Sequence, residues 1–359
     1  SISKVKKFIL SKKIPFVTTW TGSDLISTKN KFNLGIIGMS GQRGANKAVF
    51  NSDLLLCLGT HLSIPQTTTL TENYARNSKK IIVNIDKNQL NNLSIKFNCK
   101  INGDIGSYLE LLNLKKIKKF HWANADKFKK MNWYLPKKTQ EPNSNFFIHS
   151  LTSKIKDKFC LVVDGGGTAL YAGFQSSVLK DSDRIICSSA ISAMGTGLAE
   201  TIGVWRSNSF KKIICVIGDG SLLMNVQDLQ TISQNKINTA IIVVNNNGYL
   251  AIRHTQKEFL KGRYYGTHPK WNLTMPSFKK ISKAFEIDYL KISKSSQINK
   301  AINKILHHKK PLICELMVNE NQDSLFKQGY AKNKDGRFTP QSLEEMYPFL
   351  TAPIANTNN

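Results

Sequence analysis

Acidic residues are scarce in this chain. Its 359 residues hold 24 Asp and Glu against 51 Lys and Arg, a formal net charge of +27. Such an excess raises the question of nucleic-acid binding, but the features that would support it are missing. There is no basic helix interleaved with aromatics, no zinc-finger spacing and no RRM signature. The cations are mostly Lys and are spread along a sequence generally rich in Asn, Ile and Lys. We therefore expect no nucleic-acid partner, although a field of this sign attracts anionic ligands.

Long apolar runs are also missing. The longest, around 240–244, is far below the ~20 residues of a spanning helix, so no membrane partner is expected. The opening residues lack the h-region and cleavage site of a secretory signal, and a cytoplasmic location is the default expectation. The six cysteines, at 57, 99, 160, 187, 215 and 314, form no Cys-x-x-Cys pair, and several sit inside apolar runs. They read as reduced, buried thiols. Internal repeats and low-complexity tracts are absent. So is a Gly-x-Gly-x-x-Gly at a strand end, which argues against plain dinucleotide binding.

What is present is an alternation of short β-rich runs with helix-like stretches. Strands are expected within 15–20, 53–59, 80–86, 159–166, 184–189, 212–220, 240–246 and 311–318. Most are unbroken apolar runs, the pattern of parallel strands covered on both faces. Helices are expected at 225–234 and 275–285, with a short one near 341–347. The pattern is α/β and doubly wound. The Lys-rich, Pro-punctuated segment 116–145 reads as a linker between a domain over 1–115 and a second over 146–359, tail included.

The strongest chemical signal is Gly218-Asp219-Gly220, followed after the 24 residues 221–244 by Asn245-Asn246. Each half ends an apolar run. In a parallel sheet both C-terminal strand ends lie on one edge, where such folds bind ligands. Asp219 and Asn246 should therefore be close in space. A carboxylate and an amide oxygen suit Mg²⁺ or Ca²⁺, which commonly share phosphate oxygens with a ligand. Gly218 and Gly220 allow close backbone approach, and Ser221 opens a helix start suited to phosphate. Taken alone, the two pieces could also be unrelated turns.

The run from Gly218 to Gln256 resembles the thiamine-diphosphate fingerprint, and is most similar to that of the acetolactate synthase group. Met224, Asp228, Leu229 and Thr231 match the group's helix after the GDG. SAMGTGLAETIG (192–203) resembles its Met-Gly-x-Gly-Leu segment. IPFVTTWTGSD, GMSGQRGANKAVFNSDLLLCLGTHLS and KIIVNIDKNQL resemble its central domain, and DGRFTPQSLEEMYPFL resembles its C-terminal end. The likeness covers nearly the whole chain. It implies two doubly wound domains with mainly parallel sheets, a Rossmann-like central domain and a thiamine-diphosphate-binding domain.

The resemblance also implies roles. Asp219 and Asn246 would hold Mg²⁺ by side chains and Gly248 by its carbonyl. Gly220 and Ser221 would hold the diphosphate, with Gly166, Gly167 and Thr168 meeting it from the other side. Met194, followed by Gly195, would sit under the bent cofactor, and Met224 would line the aminopyrimidine. The cofactor supplies the carbanion-stabilising chemistry. The implied activity is decarboxylation of a 2-oxo acid and transfer of the remaining unit to an acceptor, in a homodimer or homotetramer.

No region resembles the group's N-terminal pyrimidine domain, which supplies the catalytic glutamate. The chain is accordingly expected to be a fragment, inactive in isolation. Acetolactate synthases carry a Trp where Thr255 stands and a Met-Val pair at Ala251-Ile252; His61 replaces a central-domain Arg. These changes point to a different acceptor and leave FAD binding open. The alternatives are a non-oxidative 2-oxo acid decarboxylase, an inactive cofactor-binding module, and a sirtuin-like NAD domain.

Overall fold

In the computed structural model the described residues are 1–113, 124–132, 140–188, 190–332 and 338–350. They form two compact units, one of Ser1–Tyr134 with Phe326–Asn359 and one of Leu135–Leu325.

The first unit holds β1 (Phe16–Thr18) and β2 (Asn33–Ile36) as a parallel pair. Strands β3 (Leu54–Leu58), β4 (Lys79–Asn84) and β5 (Cys99–Asn102) form a parallel three-stranded sheet in that order. Ile37, Val49, Phe50, Cys57, Tyr74 and Ile82 centre its core. The tail belongs to this unit rather than to the second, to which the sequence reading assigned it. The short helix expected near 341–347 is also absent. Met346–Tyr347 instead pairs antiparallel with Lys327–Gln328, and Phe338–Pro340 with Tyr330–Lys332. Leu343 and Met346 are spaced like one helical turn, yet both side chains are buried in the first unit, where the Arg43 guanidinium donates to the Met346 carbonyl (3.4 Å). Most of the expected linker lies outside the described residues. Within it, the helix Ala125–Lys130 ends beside Asn132, whose Oδ1 accepts the Gly44 N–H at 2.7 Å.

The second unit is built on a wholly parallel six-stranded sheet. Its strands are β6 (Phe159–Val163), β7 (Arg184–Ile186), β8 (Lys212–Gly218), β9 (Thr239–Asn245), β10 (Asp288–Ile292) and β11 (Leu312–Met317), in the order β10-β11-β9-β8-β6-β7. Every residue of β6 and β9 is buried, as the unbroken apolar runs require. One face packs Cys160, Val162, Cys215, Ile217, Ile241 and Val243 against Leu198, Leu229, Ile232 and Phe278. The chain leaves β6 for β7 on one side, then passes back to β8 on the other. That reversal opens a crevice beyond the C-terminal ends of β6 and β8. Both sheets are parallel and flanked by helices, so the expected α/β class holds in each unit. Among the described residues no helix is long and apolar enough to cross a membrane. None of the six cysteines is in a disulfide; Cys57, Cys160, Cys215 and Cys314 are buried, Cys187 is half-buried and Cys99, against expectation, is exposed.

Lys212, at the start of β8, is buried and donates to Asn238 Oδ1 (3.2 Å) and the His308 carbonyl (2.6 Å), two neutral acceptors. Burial pulls its ammonium down to about 8. An unfolded Lys titrates near ~10.4, so the folded chain loses the proton first. Stability is then expected to rise with pH between about 8 and ~10.4. Below that window both states are protonated, and the fold carries the full cost of the buried charge. Lys212→Met should flatten this rise in urea unfolding midpoints. Parallel curves for parent and variant would rule Lys212 out as its source.

Candidate functional site at the sheet switch point

Three strand ends meet at the crevice. Beyond β6 run Asp164, Gly165 and Gly166, leading into the helix Gly167–Ser176. Beyond β8 come Asp219, Gly220 and Ser221. Beyond β9 the loop Asn246–Gly248 leads through Tyr249 into the helix Leu250–Phe259. Together they line a cleft with Met194 on its wall. Of the residues singled out from sequence, Gly166, Gly167, Thr168, Met194, Asp219, Gly220, Ser221, Asn246 and Gly248 all line it. Gly195 and Met224 do not. They pack on each other beside it, and the Met224 side chain is exposed. Ala251 and Ile252 line the cleft, but Thr255 is exposed outside the lining.

Asp219 anchors the centre. It is 2% exposed, and its carboxylate accepts the backbone N–H groups of Gly220 (2.8 Å), Asn246 (3.2 Å) and Gly248 (2.9 Å). Burial pushes the carboxyl up to about 6, against the opposing pull of these bonds and of the Arg253 charge. The structure thus brings Asp219 and Asn246 together although they are far apart in sequence. Asn246 is also buried. Its Nδ2 faces Thr168 Oγ1 at 3.4 Å, while its Oδ1 has no hydrogen-bond partner. A buried amide oxygen without a partner is costly, and it is the observation that best marks a ligand position.

The β9 loop is pinned from several sides. Asn245 Oδ1 accepts the Asn247 N–H (3.0 Å), and Asn245 Nδ2 donates to Glu315 Oε1 (2.7 Å) on β11. The Tyr289 hydroxyl donates to the other Glu315 oxygen, and Tyr289 is pushed up from the usual phenol range by burial and by this carboxylate. Gly248 has φ +127°, and a Cβ there would lie 2.6 Å from Leu273 Cδ2 and 2.7 Å from the Thr267 carbonyl, so the bend admits only glycine. At Gly166 a Cβ would fill the cradle itself, 2.6 Å from Ser221 Oγ.

Sequence reasoning missed Asp164. It is fully buried, and its Oδ1 accepts the Gly197 N–H at 3.0 Å, tying the β6 loop to the segment after Met194. Burial raises its pKa. The available signal was an Asp before glycines at a strand end, the same pattern as at Asp219.

A parallel sheet with this strand order, and an Asp and an Asn on neighbouring strand ends over a glycine-lined cleft, fits a domain that binds a phosphorylated ligand. Comparison with known families agrees. Residues 165–316 match the C-terminal TPP binding domain of thiamine pyrophosphate enzymes, and residues 1–112 match their central domain. The chain belongs to the thiamine pyrophosphate enzyme family. It is similar to the acetolactate synthase large subunit of Porphyra purpurea, 28% identical over 332 residues, covering 89% of this chain and 55% of the relative. It is likewise similar to the acetolactate synthase isozyme 2 large subunit of Escherichia coli, 24% identical with 89% and 58% covered. A third relative is acetolactate synthase 1, chloroplastic, of Zea mays, 27% identical with 88% and 51% covered. The chain therefore spans about half the length of the relatives it matches.

Proposed function

We propose that this chain is the central and cofactor-binding part of a thiamine-diphosphate- and Mg²⁺-dependent enzyme that decarboxylates a 2-oxo acid and transfers the remaining acyl unit to an acceptor. The observation that carries this reading is Asn246 Oδ1, buried without a partner beside the Asp219 carboxylate. Both are hard oxygen donors of the kind Mg²⁺ takes together with phosphate oxygens. Asp219 and Asn246 would hold the ion by side chains and Gly248 by its carbonyl. Gly220 and Ser221 would hold the diphosphate from one wall, and Gly166, Gly167 and Thr168 from the other. Met194 lies on the wall where the cofactor's rings would rest. When bound, thiamine diphosphate supplies carbanion stabilisation; the residues of this chain bind it, orient it and limit water.

The direct test is calorimetric titration of the chain with thiamine diphosphate. Binding is expected with Mg²⁺ and should vanish with EDTA. Equal binding in both conditions would remove the metal from the site.

Acceptor choice follows from Ala251 and Ile252, which line the cleft. A small side chain at 251 leaves room beside Tyr249. One methylene in an apolar pocket discriminates by only ~1–3 kcal/mol. The longer protein, expected to be a homodimer or homotetramer, should therefore discriminate weakly between 2-oxobutyrate and pyruvate as acceptors. Product ratios with both present measure this. A strong 2-oxobutyrate preference would restore biosynthetic acetolactate synthesis as the first reading.

A further inference from the structure

Arg253 lies in the first turn of the helix Leu250–Phe259 and is 3% exposed. Sequence reasoning gave it no role. A guanidinium carries five N–H donors. Four bonds are made, all to main-chain carbonyls. Nη1 donates to Asn247 O (3.1 Å) and Thr267 O (2.7 Å). Nη2 donates to Asn246 O (2.7 Å) and Glu320 O (2.9 Å).

Two of these carbonyls belong to the candidate metal loop, and their position completes a pattern. Asp219 takes the N–H groups of Asn246 and Gly248 from one side. Arg253 takes the C=O groups of Asn246 and Asn247 from the other. The peptide planes through 246–248 are thereby fixed by two buried charges of opposite sign. The remaining two bonds tie the same guanidinium to the segments at Thr267 and Glu320. The loop is thus referenced to two elements outside its own strand and helix.

Burying a cation against neutral carbonyls is expensive, and apolar packing of the same volume often stabilises a fold as well or better. A lysine could not replace it. Its ammonium is a point charge with three donors and cannot bridge four carbonyls.

We propose that Arg253 is a positioning residue that sets the peptide planes of Asn246 and Asn247, so that Asn246 Oδ1 and the Asp219 carboxylate meet one divalent cation. This rests on the metal reading above. It adds that the site's affinity is controlled by a residue whose side chain points to backbone rather than to the ion.

The test measures Mn²⁺ binding by electron paramagnetic resonance, with thiamine diphosphate present, on the parent chain and two variants. Arg253→Lys should weaken Mn²⁺ binding by ~10–100-fold, the usual cost of losing a residue that supports a ligand. Ile305→Ala removes a fully buried side chain from the helix Ile298–His307. It should lower the urea midpoint yet keep the parent's Mn²⁺ affinity. If Arg253→Lys does not fold, Arg253→Gln takes its place, with the same expected loss. Parental Mn²⁺ affinity in the Arg253 variant would overturn the inference alone. So would an equal loss in Ile305→Ala, because general loosening would then explain both. A parent chain that binds no Mn²⁺ would overturn the metal reading itself, and the inference with it.

Discussion

Replacing Asp219 with Ala should abolish Mg²⁺-dependent binding of thiamine diphosphate, with affinity falling by more than ~10²-fold. Loss of a residue that merely supports a ligand costs ~10–100-fold, and Asp219 is proposed as a ligand. It is also the one acidic side chain lining the cleft among the described residues. The loss has a second source. Three backbone N–H groups, of Gly220, Asn246 and Gly248, end on this carboxylate. Without it three buried donors lose their acceptor, and the loop that carries Asn246 loses its reference point. Asp219→Asn separates the two effects, since it keeps the size and removes the charge. Affinity should fall nearly as far in Asp219→Asn, while stability stays closer to that of the parent. The measurement is calorimetry with Mg²⁺ and thiamine diphosphate. An unchanged titration in Asp219→Ala would refute the assignment of the site.

The second large effect is expected at Glu315, outside the cleft. This carboxylate on β11 is 6% exposed and holds Asn245 on one oxygen and Tyr289 on the other. Glu315→Leu strands the buried Asn245 amide and the half-buried Tyr289 hydroxyl together, and should cost about 3 kcal/mol. That is roughly a hundredfold in the folding equilibrium. Tyr289→Phe removes one hydroxyl and its bond, and should cost about 1 kcal/mol. Urea unfolding of both single variants and of the double variant gives the coupling. Because Asn245 Oδ1 holds the Asn247 N–H, Glu315→Leu should also weaken metal binding. Additive single effects would show that Glu315 and Tyr289 do not act as a unit.

Much of the sheet was legible in sequence because its inner strands are buried on both faces. β6, β8, β9 and β11 are mostly apolar runs; the expected runs contain β6, β8 and β11 whole and miss only Thr239 at the start of β9. β10 was not seen. It lies at the sheet edge, and its residues DYLKI mix exposed and buried positions. β2 and β5 are four residues each, too short to stand out. The helix expected at 225–234 begins only at Asp228, after a 3₁₀ turn at Leu223–Asn225.

The core of the site was legible for a related reason. Glycines and an acid at the end of an apolar run are by themselves an ordinary turn signal, but two polar strand ends one crossover apart suggest a shared edge. Asp164 and Arg253 escaped because their partners are backbone groups of distant segments. A side chain that binds the N–H of Gly197 or the carbonyl of Glu320 has no residue-type partner to betray it. Their roles exist only once the chain is folded.

The placement of the tail has a consequence for synthesis. Leu343 and Met346 are core residues of the first unit, yet the whole of Leu135–Leu325 precedes them in the chain. Domains emerging from the ribosome generally fold in order of appearance. Here that order is reversed at the finish. The unit that starts first lacks its final core residues until the intervening one has been fully translated. A ribosome that stalls or terminates between 326 and 342 would therefore release a chain whose later unit is complete and whose earlier unit has an open core. Such truncated products, rather than chains that carry Leu343 and Met346, are the ones that a quality-control protease should recognise first.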